Sequence, residues 1–424
     1  MYNHKFYVYK HFVRNYLNQW IFSHNMLIGI VGKANVGKST FFKASTLAEV
    51  EIANYPFATI KPNHGTGYVK VNCADKFFNV KCNPRFGYCI DGKRFVPFDM
   101  IDVAGLVPGA HEGKGLGNQF LDDLRQADVL IHVVDVAGTT NEKGEPITDR
   151  TYDPAKDIRF LEEELDFWYL GILKKGWEKF ARTINQSHEE VRKALEKQLS
   201  AFKVTEEIIK ESLIKLNLDS KPILQWTDEN IFELVKEFRK KTKPMVIACN
   251  KIDVAGAREN FERMKKEFPQ HLLIPCSSES ELALREAAKH GIIKYIPGEN
   301  TFEVIHPEKL NDAQTKALDF IKKNILDQYS TTGVQDCLNY AVFGILKYIS
   351  IFPGGVNKLS DKDGNVIPDC FLLPPNSTAL DFAFKLHTDI GNGFIRAIDV
   401  KTKRVVGKEH LLKDGDVVEI VTSK

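Results

Sequence analysis

The sequence predicts an α/β core interrupted by a helical insertion and followed by a smaller C-terminal domain. Three observations predict it. Short apolar runs at residues 27–31, 98–103, 130–135, 245–249 and 271–274 have the length and continuity of strands buried on both faces. More than a hundred residues separate the third run from the fourth, and the stretch is rich in Glu, Lys and Leu. A strand–helix–strand unit needs only about 30 residues in all. From Pro368 onward the texture changes to short strand-like runs and turns.

Composition narrows the function classes. Of 424 residues, 58 are Lys or Arg and 56 are Asp or Glu, a net charge of +2. That balance excludes a polycation or an acidic tail and leaves room only for a local basic patch. Hydrophobic residues make up 43%, enough for a real core. No run reaches the ~18 apolar residues of a membrane-spanning helix, so no membrane association is expected. Seven scattered cysteines argue against a disulfide scaffold, and a cytoplasmic location is expected. Residues 1–25 carry Lys5, Lys10 and Arg14, no acidic group and many aromatics, without the apolar core of a signal peptide. They read as a dispensable extension, with Met26 an alternative start.

The first strand runs directly into Gly32-Lys33-Ala34-Asn35-Val36-Gly37-Lys38-Ser39-Thr40, which fits G-x-x-x-x-G-K-[ST]. Gly32 and Gly37 allow backbone N–H groups to turn onto phosphate oxygens. Lys38 supplies a point charge to the β- and γ-phosphates, and the Ser39 hydroxyl suits a Mg²⁺ ligand. A helix is expected to follow, its N-terminus toward the phosphates. The second strand ends in Asp102-Val103-Ala104-Gly105. Asp102 suits a carboxylate near Mg²⁺, and the Gly105 amide is placed to sense a γ-phosphate. Between them, Thr59 is a candidate second hydroxyl on Mg²⁺.

The strand at 245–249 leads into Asn250-Lys251-Ile252-Asp253, which fits N-K-x-D. A carboxylate at Asp253 accepts from both the ring N–H and the exocyclic amine of guanine, whereas adenine presents an acceptor there. Hydrogen bonds to charged groups contribute about 1.5–3 kcal/mol each, so two favour GTP over ATP by roughly 10²–10⁴-fold. Lys251 is expected to pack its stem along the base and tie this loop to the phosphate loop. After the strand at 271–274, Ser277 and Ser278 stand in a loop whose amides suit the guanine carbonyl.

With these five elements in order, the chain resembles a P-loop NTPase with a Ras-like G domain. Residues 54–63, reading Asn54-Tyr55-Pro56-Phe57-Ala58-Thr59-Ile60-Lys61-Pro62-Asn63, resemble the first switch of the Obg superfamily. Residues 102–117, which include Gly105, Leu106, Pro108, Gly109, His111, Glu112 and Gly113, resemble the second switch of the YchF/Obg-like ATPase branch. The resemblance covers residues 26–424. It implies a G domain, a helical insertion and a C-terminal TGS domain of β-grasp fold, with nucleotide hydrolysis and association with a ribosome or RNA. Members that prefer ATP carry a changed base-reading motif. This chain keeps Asp253, resembles the archaeal-type branch, and is expected to prefer GTP.

Many GTPases follow D-x-x-G with a Gln that orients the attacking water; here the residue is Leu106. Slow basal turnover is expected, on the order of 10⁻⁴ to 10⁻² per second. Lys38 and Thr59 are candidate catalytic groups. His111 either swings toward the water or is a solvated loop residue. Asn35 resembles the potassium-binding Asn of related GTPases, where K⁺ would offset developing charge, or it only braces its loop.

The expected domains are an extension at 1–25, a G domain at 26–152 and 244–300, a helical insertion at 153–243, a helical connector at 301–367 and a TGS domain at 368–424. In the insertion, Phe160, Leu161, Leu165, Trp168 and Ile172 recur at helical spacing, as do Val191, Leu195 and Leu199. In the tail, Ser377 or Thr378 caps a helix, and Lys401, Lys403 and Arg404 form the basic cluster. Cys73, Cys82 and Cys89, with His64 upstream, have spacings that match no common zinc pattern, and hairpin positions account for them equally. The function expected is a GTPase switch. Its rival is a nucleotide-sensing module with negligible hydrolysis, and the ATPase activity of other members is the remaining alternative.

Overall fold

The computed structural model describes residues 26–47, 63–103, 123–149, 151–187 and 189–423. Thr59, Gly105, Leu106 and His111 lie outside the described residues, with residues 54–62 of the first switch, 104–117 of the second and the 1–25 extension.

The main sheet is built from β1 (Leu27–Val31), β2 (His64–Asn72), β3 (Tyr88–Ile90), β4 (Lys93–Asp102), β5 (Val129–Asp135), β6 (Met245–Asn250) and β7 (Leu272–Pro275). Its order is β2-β4-β1-β5-β6-β7, with β3 on β4. β4, β1, β5, β6 and β7 run parallel, while β2 and β3 pair antiparallel with β4. Every residue of β5 is buried, as expected for a central parallel strand covered on both faces. Alternation sorts its side chains. Val129, Ile131 and Val133 join Ile28, Ile30 and Phe41 in one core, and Leu130 and Val134 join Val31 and Ile158 in the other.

The insertion comprises α2 (Ala155–Lys174), α3 (Trp177–Ser187), α4 (Val191–Leu199), α5 (Glu206–Lys215) and α6 (Asp228–Thr242); the helix after β1, α1, spans Lys38–Thr46. The buried stripe of α2 is Ile158, Leu161, Leu165, Tyr169 and Leu173, rotated from the expected one; Phe160, Trp168 and Ile172 are only partly buried. The cause is that α2 serves two cores. Ile158, Leu161 and Leu165 pack on the main sheet, while Tyr169 and Leu173 pack inside the insertion. Leu195 and Leu199 are buried as expected. Thr227 and Asn230 form a reciprocal cap on α6.

The helix α7 (Ala257–Glu267) lies between β6 and β7; beyond β7 come α8 (Ser278–Lys289), the hairpin β8 (Ile293–Tyr295) and β9 (Phe302–Val304), α9 (Asp312–Ile321) and α10 (Val334–Asn339). A second sheet holds β10 (Ile349–Pro353), β11 (Phe371–Leu373), β12 (Phe394–Asp399), β13 (Arg404–Val406) and β14 (Val417–Thr422), in the order β11-β10-β14-β12-β13. This corrects the expected boundary at 368. β10 lies inside the segment expected to be a helical connector, yet it is an inner strand of the C-terminal sheet, pairing parallel with β14 and antiparallel with β11. Its partners are distant in sequence, so periodicity could not assign it. The helix Ala379–Leu386 (α11) settles its cap: Thr378 accepts from Asp381 N, and the Asp381 side chain returns the bond, while Ser377 Oγ donates to the Pro374 carbonyl.

Candidate nucleotide site

Two loops meet at the C-terminal ends of the parallel strands. The phosphate loop leaves β1 and enters α1 through Gly37, whose φ of 93° is left-handed. A Cβ at Gly37 would sit 2.2 Å from Asn250 Nδ2, so both conformation and space demand glycine. A Cβ at Gly32 would meet the Val133 carbonyl oxygen at 2.5 Å. Val36 turns its side chain into the core beneath, and its carbonyl accepts from Asn250 Nδ2 at 2.8 Å.

These loops enclose a cavity of about 570 Å³. Lys33, Ala34, Asn35, Gly37, Lys38, Ser39 and Thr40 line one side; Asn250, Lys251, Asp253, Ser277 and Ser278 line the other. Val254 and Glu279, which the sequence did not single out, also face it. At the phosphate end, Lys38 Nζ is 2.9 Å from Asp102 Oδ1. Ser39 Oγ is 3.5 Å from Asp102 Oδ2. A lysine, a hydroxyl and a carboxylate thus converge where a phosphate–magnesium group belongs, and Ser39 and Asp102 fit Mg²⁺ as oxygen donors.

Two side chains, Lys33 and Lys251, behave differently from the expectation, and Asn35 takes the second of its two alternatives. Lys33 lines the cavity, but its ammonium is committed elsewhere, to Asp157 at 3.0 Å and to the Thr140 carbonyl at 3.2 Å, over the Tyr152 ring. Burial pushes the Lys33 pKa down and that of Asp157 up, and the contact between them opposes both shifts. Asn35 donates Nδ2 to the Gly144 carbonyl at 2.9 Å, the bracing geometry. Lys251 does not reach the phosphate loop. Its Nζ lies 3.0 Å from Asp135 Oδ2 and 3.0 Å from Thr139 Oγ1, in the turn after β5. The tie to the phosphate loop is made by Asn250, whose Oδ1 also accepts from Ser278 N at 3.0 Å and Ser278 Oγ at 2.9 Å. The Ser278 amide is therefore used inside the protein, and Ser277 caps α8.

Asp135 is the supporting residue that sequence reasoning missed. It is 1% exposed and accepts from Thr139 N, Thr139 Oγ1, Thr140 Oγ1 and Ala137 N. A signal existed, an Asp ending an apolar strand and followed by a Gly-Thr-Thr turn, but its partner Lys251 lies 116 residues away.

Comparison with known proteins then places the chain. Residues 27–163 match the 50S ribosome-binding GTPase family model. Residues 248–355 match the Obg-like GTPase YGR210-like, G4 motif-containing domain, and residues 358–422 match the TGS domain. A GTP-binding protein of Methanocaldococcus jannaschii is 50% identical over 94% of this chain and 99% of its own length. The chain belongs to the YchF/Obg-like family of P-loop GTP-binding proteins. Within that family, a GTP-binding protein of Schizosaccharomyces pombe is 37% identical over 84% of this chain and 88% of its own. The ribosome-binding ATPase YchF of Bacillus subtilis is 28% identical over 94% of this chain and 97% of its own. The crystal structure of a GTP-binding protein from Pyrococcus horikoshii superposes with a TM-score of 0.73 at 39% identity, covering 94% of this chain and all of that one. The YchF/Obg-like assignment accounts for the Ras-like core and the TGS sheet together. Among the described residues no helix is long and apolar enough to cross a membrane.

Proposed function

We propose that this YchF/Obg-like protein hydrolyses GTP with Mg²⁺ and acts in the cytoplasm as a ribosome- or RNA-associated switch. The observation that carries the reading is the joining of the phosphate loop and the Asn250-Lys251-Asp253 loop around one cavity through the Asn250–Val36 bond. Asp253 reads guanine, and it is the feature against the ATPase alternative, the activity for which the Bacillus relative is named. That relative's name and the TGS match support the ribosomal partner.

Lys38 exchanges its contact with Asp102 for the β- and γ-phosphates when nucleotide enters. Ser39, Asp102 and Thr59 would hold Mg²⁺, which supplies charge neutralisation at the phosphates. The Gly105 amide would sense the γ-phosphate, His111 would act on the attacking water, and Leu106 in place of Gln keeps basal turnover slow. The Asn35–Gly144 bond supports the bracing role for Asn35 over a K⁺ site. Exchanging Na⁺ for K⁺ is accordingly expected to leave the rate unchanged.

The test is single-turnover hydrolysis of GTP and of ATP, with and without ribosomes, alongside titration calorimetry of both nucleotides. GTP cleavage that rises with ribosomes and disappears on chelation of Mg²⁺ is expected. Equal affinity for ATP overturns the guanine reading. Tight GTP binding without cleavage in any condition leaves a nucleotide-sensing module instead.

A further inference from the structure

A second cluster of chemistry-bearing side chains lies away from the nucleotide cavity. Cys73, Asp75, Cys82 and Cys89 each offer one ligand atom, and the four atoms all lie within 4.8 Å of one another. Cys73 Sγ and Cys82 Sγ are 3.7 Å apart; Cys89 Sγ and Asp75 Oδ2 are 3.9 Å apart. A disulfide requires about 2.05 Å between sulfurs. Two thiolates at about 2.3 Å from one tetrahedral zinc stand about 3.8 Å apart. The observed spacing is that of a tetrahedral edge.

The sheet explains how such widely spaced residues meet. β2 and β3 flank β4 on opposite sides, and Val71 and Cys89 are both register partners of Arg94. Cys73 follows β2 directly and donates its backbone N–H to the Gly92 carbonyl at 2.8 Å. His64, the fourth group the sequence suggested, opens β2 at its other end. Eight residue steps along a strand place it about 26 Å from Asn72, and Asp75, in the helical turn Asp75–Phe78, takes its place.

The surroundings want a cation. Asp75 is 6% exposed, and its Oδ1 is buried with no hydrogen-bond partner, an arrangement that is costly for an ionised carboxylate without a counter-charge. Arg94 is fully buried beside Cys73 and donates to the carbonyls of Ile367 and Pro368. Three thiolates and a carboxylate carry four negative charges; a divalent ion and Arg94 offset three. Soft thiolates in a close, mostly buried set select zinc over Mg²⁺ or Ca²⁺.

We propose that Cys73, Asp75, Cys82 and Cys89 bind one zinc ion, and that this ion shapes the joint between the G domain and the C-terminal sheet. The loop between Cys82 and Cys89 is that joint. Asn83 N donates to the Val366 carbonyl at 3.1 Å, Asn83 Nδ2 to Asn365 Oδ1 at 2.8 Å, and Arg85 N to the Pro368 carbonyl at 2.9 Å. Arg85 also pairs with Asp369. Cys73 and Cys82 pack in one cluster with Phe352, Ile367 and Val417 of the C-terminal unit.

The experiment measures zinc by elemental analysis in the full-length protein, purified reduced and without a metal-affinity step. One zinc per chain is expected, displaced by a thiol-blocking mercurial. Stripped protein titrated with Co²⁺ is expected to show thiolate-to-cobalt and tetrahedral d–d absorption saturating at one equivalent. A C82S/C89S variant is expected to lose both signals. Stripping zinc from the wild-type protein is expected to expose residues 79–89 to protease, and Zn²⁺ to restore protection. Substoichiometric zinc with no cobalt bands, or a Cys73–Cys82 disulfide in the reduced preparation, overturns the site. Zinc bound with unchanged proteolysis overturns its role at the joint. The cobalt titration uses wild-type protein, so a variant that fails to fold does not decide the result.

Discussion

Asn250 donates its side-chain amide to the Val36 carbonyl at 2.8 Å, and the carbonyl of the same side chain accepts from both N and Oγ of Ser278. One buried residue therefore joins the phosphate loop, the base-reading loop and the start of α8. Removing it strands three buried polar groups, each worth about 1–3 kcal/mol when unsatisfied. Asn250→Ala is expected to weaken GDP and GTP alike by roughly 10- to 100-fold in calorimetry. Gly37→Ala is expected to act through the same contact, because its Cβ would occupy the space of Asn250 Nδ2. Unchanged affinity in both variants removes the joint.

Asp253 should act on selectivity rather than on the loop. Asp253→Asn replaces one acceptor by a donor, which opposes the exocyclic amine of guanine and suits the C2 carbonyl of xanthine. GTP affinity is expected to fall by about 10²-fold while xanthosine triphosphate gains. A competition assay among GTP, ATP and xanthosine triphosphate reads this directly. Parallel loss of all three would mean that Asp253 supports the fold.

The buried pair Lys33–Asp157 joins the phosphate loop to α2 across 124 residues. Breaking a buried pair from one side costs about 3–5 kcal/mol, while replacing both partners by apolar groups is near neutral. Lys33→Ala is expected to lower the thermal midpoint markedly, and Lys33→Met/Asp157→Leu to restore most of it. Equal losses in the single and double variants would show that the charges matter for more than each other.

His132, on β5, is 1% exposed, and burial holds its pKa down to about 3 from 6.5, with His271 adding to the effect and Glu162 opposing it. The unfolded chain takes up this proton below about pH 6.5 and the folded chain does not, so stability is full above that pH and falls toward pH 3. Between pH 7 and pH 5 the linked loss is about 2 kcal/mol. His132→Leu is expected to flatten the thermal midpoint over that range by a corresponding amount. A wild-type slope retained in the variant assigns the effect to another group.

The sequence by itself determined the motifs of the candidate site. Gly32, Gly37, Lys38, Ser39, Asp102, Asn250, Lys251 and Asp253 were legible because each motif is a few residues long and follows a buried strand whose apolar run announces it. Their physics is local, set by backbone torsion, a charge at a helix start and a carboxylate at a strand end. Only the tertiary structure decided the pairings. Asn250 with Val36, Lys251 with Asp135 and Lys33 with Asp157 are separated by 214, 116 and 124 residues. β10 was hidden because its identity as a strand depends on β14. The stripe of α2 was misjudged because two cores, not one, claim its faces. The cysteines looked like hairpin positions until β4 brought both neighbouring strands to Arg94. Periodicity reports the environment of one element, and a hydrogen bond between distant loops exists only once the sheet has set their separation.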